Sequence, residues 1–144
     1  MAAPNSPAKK ILVVEDEADV RVYLSRVLEE NGFRVGSAAD GAAALREVEK
    51  ERPDVIMLDL SMPETSGVRF YRNLKERPEL RDIPVIFVTG ITGPGGSKDT
   101  ERFYNAQRQV PPPDAFIGKP IDPEELVATV KKLIGERKPA AASA

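Results

Sequence analysis

No cysteine and no histidine occur anywhere in the 144-residue chain. The first absence removes disulfides, thiol nucleophiles and thiolate metal sites. The second removes an imidazole base, a Ser-His-Asp triad and a histidine phosphocarrier within the chain. Any chemistry must therefore run on carboxylates, hydroxyls, lysine ammonium groups and a hard metal ion. A strong charge of either sign is also missing: 21 basic residues face 23 acidic ones, for a net charge of −2. That balance lacks the basic footprint that favours nucleic acid, so no nucleic-acid partner is expected. No apolar run approaches the roughly 18 residues of a membrane span. The N-terminal MAAPNSPAKK has no apolar stretch of signal-peptide length behind its lysines. A cytoplasmic location without a membrane partner is the expectation.

What is present suits one ordinary soluble domain. Hydrophobic residues make up 41% and charged residues 31% of the chain, as in globular proteins. A chain this long buries a core without metal or disulfide support. Residues 1–8 and 138–144 are small and interrupted by proline, and are expected to be disordered tails flanking a domain over 9–137. There is no internal repeat.

Short apolar runs alternate with longer amphipathic stretches. Ile11 to Val14 reads as a buried strand, and Glu17 to Glu30 as a helix with Val20, Leu24, Val27 and Leu28 at helical spacing. Asn31-Gly32 is its C-cap signal. Phe33 to Ala38, Val55 to Leu58, Val85 to Val88 and Ala115 to Ile117 read as four more strands. Helices are predicted from Gly41 to Glu51, from about Ser66 to Glu76, and from Pro123 to Arg137, the last with Asp122 as N-cap. A further helix is possible at about Lys98 to Gln109, inside an irregular Gly90–Asp114 stretch that opens GITGPGG and closes on Pro111-Pro112-Pro113. Five strands alternating with helices imply right-handed crossovers and a mostly parallel sheet covered on both faces. The fold class is α/β.

In a doubly wound parallel sheet the strands end at one rim, where ligands bind. The residues just after each apolar run are therefore informative: Glu15, Asp16 and Glu17, then Asp59, Thr89 and Lys119. Each has a plainer explanation when taken singly. The acidic run also suits the positive end of a helix dipole, and Asp59 alone reads better as a turn residue ahead of Ser61 and Pro63. Thr89 alone is an ordinary strand-end hydroxyl, Lys119 a solvated lysine before a turn proline, and Phe116 a core position. Four strand ends agreeing at once shift that balance. Crowded carboxylates repel one another unless a cation intervenes, and oxygen ligands without His or Cys favour Mg²⁺ or Mn²⁺.

The segments ILVVEDE, DVIMLDLSMPETSG, PVIFVTG and FIGKP, in that order, resemble the receiver (response-regulator) domain of two-component signalling. The resemblance runs from about Lys9 to Ile134. It implies a flavodoxin-like five-stranded parallel sheet of order 2-1-3-4-5 with helices on both faces. It also implies that Asp59 is the phosphoacceptor, and that Asp16 and Asp59 ligate Mg²⁺ while Glu15 acts through water and Ser61 offers its backbone carbonyl. Lys119 would contact the phosphoryl oxygens, Thr89 would donate its hydroxyl to them, and Phe116 would turn inward with Thr89. Lys119–Pro120 would be a cis peptide. The implied partners are a histidine kinase or phosphotransfer protein upstream and an unknown output protein downstream. Such a switch promotes its own phosphorylation and dephosphorylation without being a dedicated enzyme. No output domain follows the closing helix, so a single-domain type with output by protein contact is expected.

Gly90 follows Thr89 where the family commonly has alanine or another small residue; Ile91 and Ser61 stand at positions that in the family tune how long the phosphoryl group survives, and an apolar Ile91 should hinder an attacking water. Slow self-dephosphorylation is the expectation. Two rivals stand beside the switch. A nucleotide-binding enzyme is suggested by VIFVTGITGPGGSK, but Gly95 is followed by Gly96, Ser97, Lys98 and Asp99 rather than by the phosphate-loop pattern. A binding module of the same fold that acts without phosphorylation is the other.

Overall fold

The computed structural model describes residues 8–60, 66–90 and 112–143. Five strands, β1 (Lys10–Val14), β2 (Arg34–Ala38), β3 (Val55–Asp59), β4 (Val85–Gly90) and β5 (Ala115–Lys119), form one sheet in the order β2-β1-β3-β4-β5. Every adjacent pair is parallel. Among the described residues the helices are α1 (Ala18–Glu30), α2 (Gly41–Lys50), α3 (Ser66–Glu76) and α4 (Pro123–Ser143). The fold class and strand order are those anticipated from the sequence.

The apolar runs are continuous because both faces of the sheet are covered. Side chains alternate across it. Leu12, Val14, Ile56, Leu58, Val85 and Phe87 pack with Ala44, Val48, Phe70, Tyr71 and Leu74 of α2 and α3. Ile11, Val13, Val55, Met57, Ile86 and Val88 pack with Leu24 and Leu28 of α1 and with Leu126, Val130 and Leu133 of α4. A one-residue slip of any inner strand would exchange its two apolar sets.

Local signals set the helix ends. Asp40 caps α2 by accepting the Ala43 N–H at 2.8 Å. Gly32, at φ 93°, follows the α1 C-cap Asn31 in a conformation that favours glycine. Asp122 accepts the Glu124 N–H at 3.0 Å ahead of α4. The α4 helix continues to Ser143, past the Arg137 at which the sequence reading closes it and against an expected tail from 138. The helix considered for Lys98 to Gln109 lies outside the described residues.

At the rim where strands begin, carboxylates tie neighbouring strands together. Asp54 accepts the Lys10 N–H, and Asp114 accepts the Val85 N–H, each at 2.8 Å. The Lys10 ammonium reaches Glu51 at 3.2 Å, and Arg34 reaches the same carboxylate at 2.7 Å. These bonds satisfy edge and first-residue donors that would otherwise lack partners.

Candidate functional site

Parallel pairing brings the C-terminal ends of β1, β3, β4 and β5 to one rim. Asp59 is the last residue of β3, and Glu15 and Asp16 directly follow β1. Since Val14 pairs with Leu58, the acidic pair and Asp59 leave the sheet side by side. Asp59 is in turn opposite Val88 on β4, and Thr89 is the next residue along. Gly90 pairs with Lys119 at the end of β5. Lys119–Pro120 is a cis peptide bond.

Ligand oxygens of Glu15, Asp16 and Asp59 all lie within 4.8 Å of one another. Glu15 is 1% and Asp59 2% exposed, whereas Asp16 faces solvent. Lys119 Nζ donates to Asp59 Oδ2 at 3.1 Å and lies 3.4 Å from Glu15 Oε1. Among the described residues the buried Glu15 Oε1 has no hydrogen-bond partner, and Lys119 approaches it only as an ion pair. Glu15 Oε2 accepts the Glu17 N–H at 3.1 Å.

Two buried carboxylates, Glu15 and Asp59, thus share the Lys119 ammonium, with the solvent-facing Asp16 beside them, and in a buried place unpaired charge is disfavoured. Burial pushes the Glu15 carboxyl up to about 7. The Glu17 N–H opposes the rise, Asp59 adds to it, and Lys119 offsets part of it. A proton on Glu15 would make this carboxyl a donor toward the Asp59 carboxylate. Burial pulls the Lys119 ammonium down, but the hydrogen bond and charge of Asp59, with Glu15 beside it, hold its pKa above the ordinary lysine value. An orphaned buried oxygen within an oxygen-only donor set fits a hard divalent cation.

The structure therefore brings together Glu15, Asp16, Asp59 and Lys119. Thr89 is buried on β4, at 3% exposure. Phe116 departs from the core position expected of it: it is 46% exposed. It lies on β5, at the end of the strand order. The Phe116 ring is edge-on to Phe87 with centroids 5.8 Å apart, and Phe87 is edge-on to Tyr71 at 4.8 Å. Ser61, Ile91 and most of the Gly90–Asp114 stretch lie outside the described residues.

One residue at this rim escapes the sequence reading. Arg21 Nη1 donates to the backbone carbonyls of Glu15 at 2.8 Å and Asp16 at 3.2 Å. Its only sequence signal is a cation in the first turn of a helix, where the dipole disfavours one.

The family model of the response regulator receiver domain matches residues 11–131. The phosphate regulon transcriptional regulatory protein PhoB of Escherichia coli is 38% identical over 134 residues, which cover 93% of this chain and 55% of that protein. The chain thus spans about half the length of this relative. Protein Rrf1 of Nitratidesulfovibrio vulgaris is 31% identical over 125 residues, 87% of this chain and 82% of that protein. Among solved structures, the signal receiver domain of a signal transduction histidine kinase from Syntrophus aciditrophicus superposes with a TM-score of 0.76 at 36% identity, covering 90% of this chain and 92% of that one. Chemotaxis protein CheY4 of Vibrio cholerae superposes with a TM-score of 0.73 at 28% identity, covering 88% of this chain and 98% of that one.

Proposed function

The chain belongs to the response regulator receiver domain family of two-component signalling, and on that premise we propose that Asp59 accepts the phosphoryl group that operates it. A receiver domain is a signalling switch rather than a dedicated enzyme, and histidine kinases are the family's upstream partners. The observation that carries the assignment is the placement of the Asp59 carboxylate: 2% exposed, 3.1 Å from Lys119 Nζ, with the acidic pair alongside.

In the proposed transfer an Asp59 oxygen forms a bond to phosphorus while the phosphorus–nitrogen bond of the donor histidine breaks and the imidazole keeps the electron pair. A carboxylate is a weak nucleophile, so charge on the incoming phosphoryl oxygens must be neutralised. Lys119 does this from one side. Asp16 and Asp59 would hold Mg²⁺ (or Mn²⁺), with Glu15 acting through water and the Ser61 carbonyl as a further ligand. When bound, the cation supplies positive charge against the same oxygens. The product carries roughly −1.5 to −2 charges where the Asp59 carboxylate carried a single one, and three phosphoryl oxygens as new acceptors. The Thr89 hydroxyl then donates to the new acceptor, and Phe116 turns inward as it moves, biasing a two-state element. The receiver unit is taken as residues 9–137, in the cytoplasm, with output through contact with another protein.

The test is mass spectrometry after treatment with Mg²⁺ and a small phosphodonor. Wild type should gain one hydroxylamine-labile phosphoryl group and Asp59→Ala none. A variant phosphorylated as fully as wild type would overturn the assignment.

A further inference from the structure

The turn between β1 and α1 is held by a nearly complete set of local bonds. The Glu15 N–H donates to the Ala38 carbonyl at 3.0 Å, so Glu15 is still registered against β2. The Glu17 N–H donates to the Glu15 side chain. The carbonyls of Glu15 and Asp16, the two peptide groups that carry the acidic pair, are both engaged by one nitrogen of Arg21. Arg21 itself sits in the first turn of α1, its own N–H bonded to the Glu17 carbonyl at 2.9 Å. A guanidinium in that turn opposes the helix dipole, and among the described residues it forms no ion pair with the three carboxylates. Its hydrogen bonds all go to backbone.

We propose that Arg21 is a positioning residue for the acidic pair, fixing the Glu15 and Asp16 peptides so that their carboxylates meet Asp59 at the cation site. The proposal rests on the reading that Glu15, Asp16 and Asp59 hold a divalent cation. The two N–H groups of that one nitrogen point in directions fixed by the planar guanidinium, which holds the two successive carbonyls in place. Groups that orient metal ligands from behind are commonly worth 10- to 100-fold in metal affinity.

The two roles open to Arg21 predict opposite signs. A mere neighbouring cation repels the metal, so its removal would tighten binding. A positioning residue, when removed, loosens binding. Mn²⁺ affinity of the full chain is measured by electron paramagnetic resonance of the free ion, together with thermal melting of the metal-free protein. Arg21→Met is expected to bind Mn²⁺ roughly 10- to 100-fold more weakly than wild type. Arg21→Lys should fall between the two, and Arg26→Met, at an exposed position of the same helix, should match wild type. If Arg21→Met does not fold, Arg21→Gln gives the same discrimination, since it also removes the charge, and it too should bind more weakly. Either neutral variant binding as tightly as wild type, or more tightly, overturns the role of Arg21 alone. A wild-type chain indifferent to Mn²⁺ overturns it together with the reading beneath it.

Discussion

Folding places the Glu15 carboxylate beside Asp59, and lost hydration lifts its pKa from the ordinary 4.5 to about 7. A carboxyl raised in this way stabilises the fold while protonated: the contribution is full below about 4.5 and is lost as pH rises through 7. Glu15→Gln, neutral throughout, should therefore match wild type near pH 4.5 and exceed it at pH 8 by on the order of 2 kcal/mol in metal-free urea titrations. Equal stability at pH 8 would contradict the assignment of strain to this carboxylate. Divalent-cation affinity should climb with pH until Glu15 has ionised, because the metal and the proton compete. Lys119→Met, which removes the ammonium that donates to Asp59, should slow phosphorylation by roughly 10²- to 10³-fold, read as a time course with a small phosphodonor. Glu15, Asp16, Asp59 and Lys119 were legible in the sequence because each stands at the end of an apolar run. Phe116 was not, since apolarity does not say which side of an edge strand is covered. Arg21 was not, because its acceptors are backbone carbonyls and leave no mark in the sequence.

Secondary-structure elements show where pattern and hydrogen bonding part company. The apolar runs located every strand, yet β3 continues to Asp59 and β5 to Lys119, past their last apolar residues. Pairing continues as long as the backbone ladder does, and the chemistry sits in that polar overhang. Helix α2 depends on the Asp40 cap: Asp40→Ala should cost about 1 kcal/mol in denaturant unfolding. Truncation of the fully buried Leu74 on α3 to alanine should cost roughly 2–5 kcal/mol through the cavity left between α3 and the sheet. The corner joining β1, β2 and α2 carries an acid-sensitive link. Hydrogen bonds from Arg34 and Lys10 hold the Glu51 carboxyl down at about 2. Its stabilising contribution is present above 4.5 and fades as pH falls toward 2, so Glu51→Gln should flatten the stability profile in that window. This link is exposed, and salt should weaken it.

Across the whole molecule, parallel strands divide labour between two rims. The starting rim is tied by Asp54, Asp114, Lys10 and Arg34, and the finishing rim holds the acidic cluster. The architecture was legible because both-face burial forces continuous apolar runs, and βαβ connections have one hand. Arg34→Ala, at the starting rim, should leave phosphorylation of Asp59 unchanged in the phosphodonor assay; a marked loss would show the rims to be coupled. The chain has no tryptophan and 3 tyrosines, and of these Tyr71 is buried edge-on to Phe87, whose ring meets Phe116. Tyrosine absorbs polarised ultraviolet light according to the handedness of its surroundings. The ring swing proposed for Phe116 would therefore reach the dichroism spectrum through Phe87 and would give a label-free optical gauge of the proposed switching.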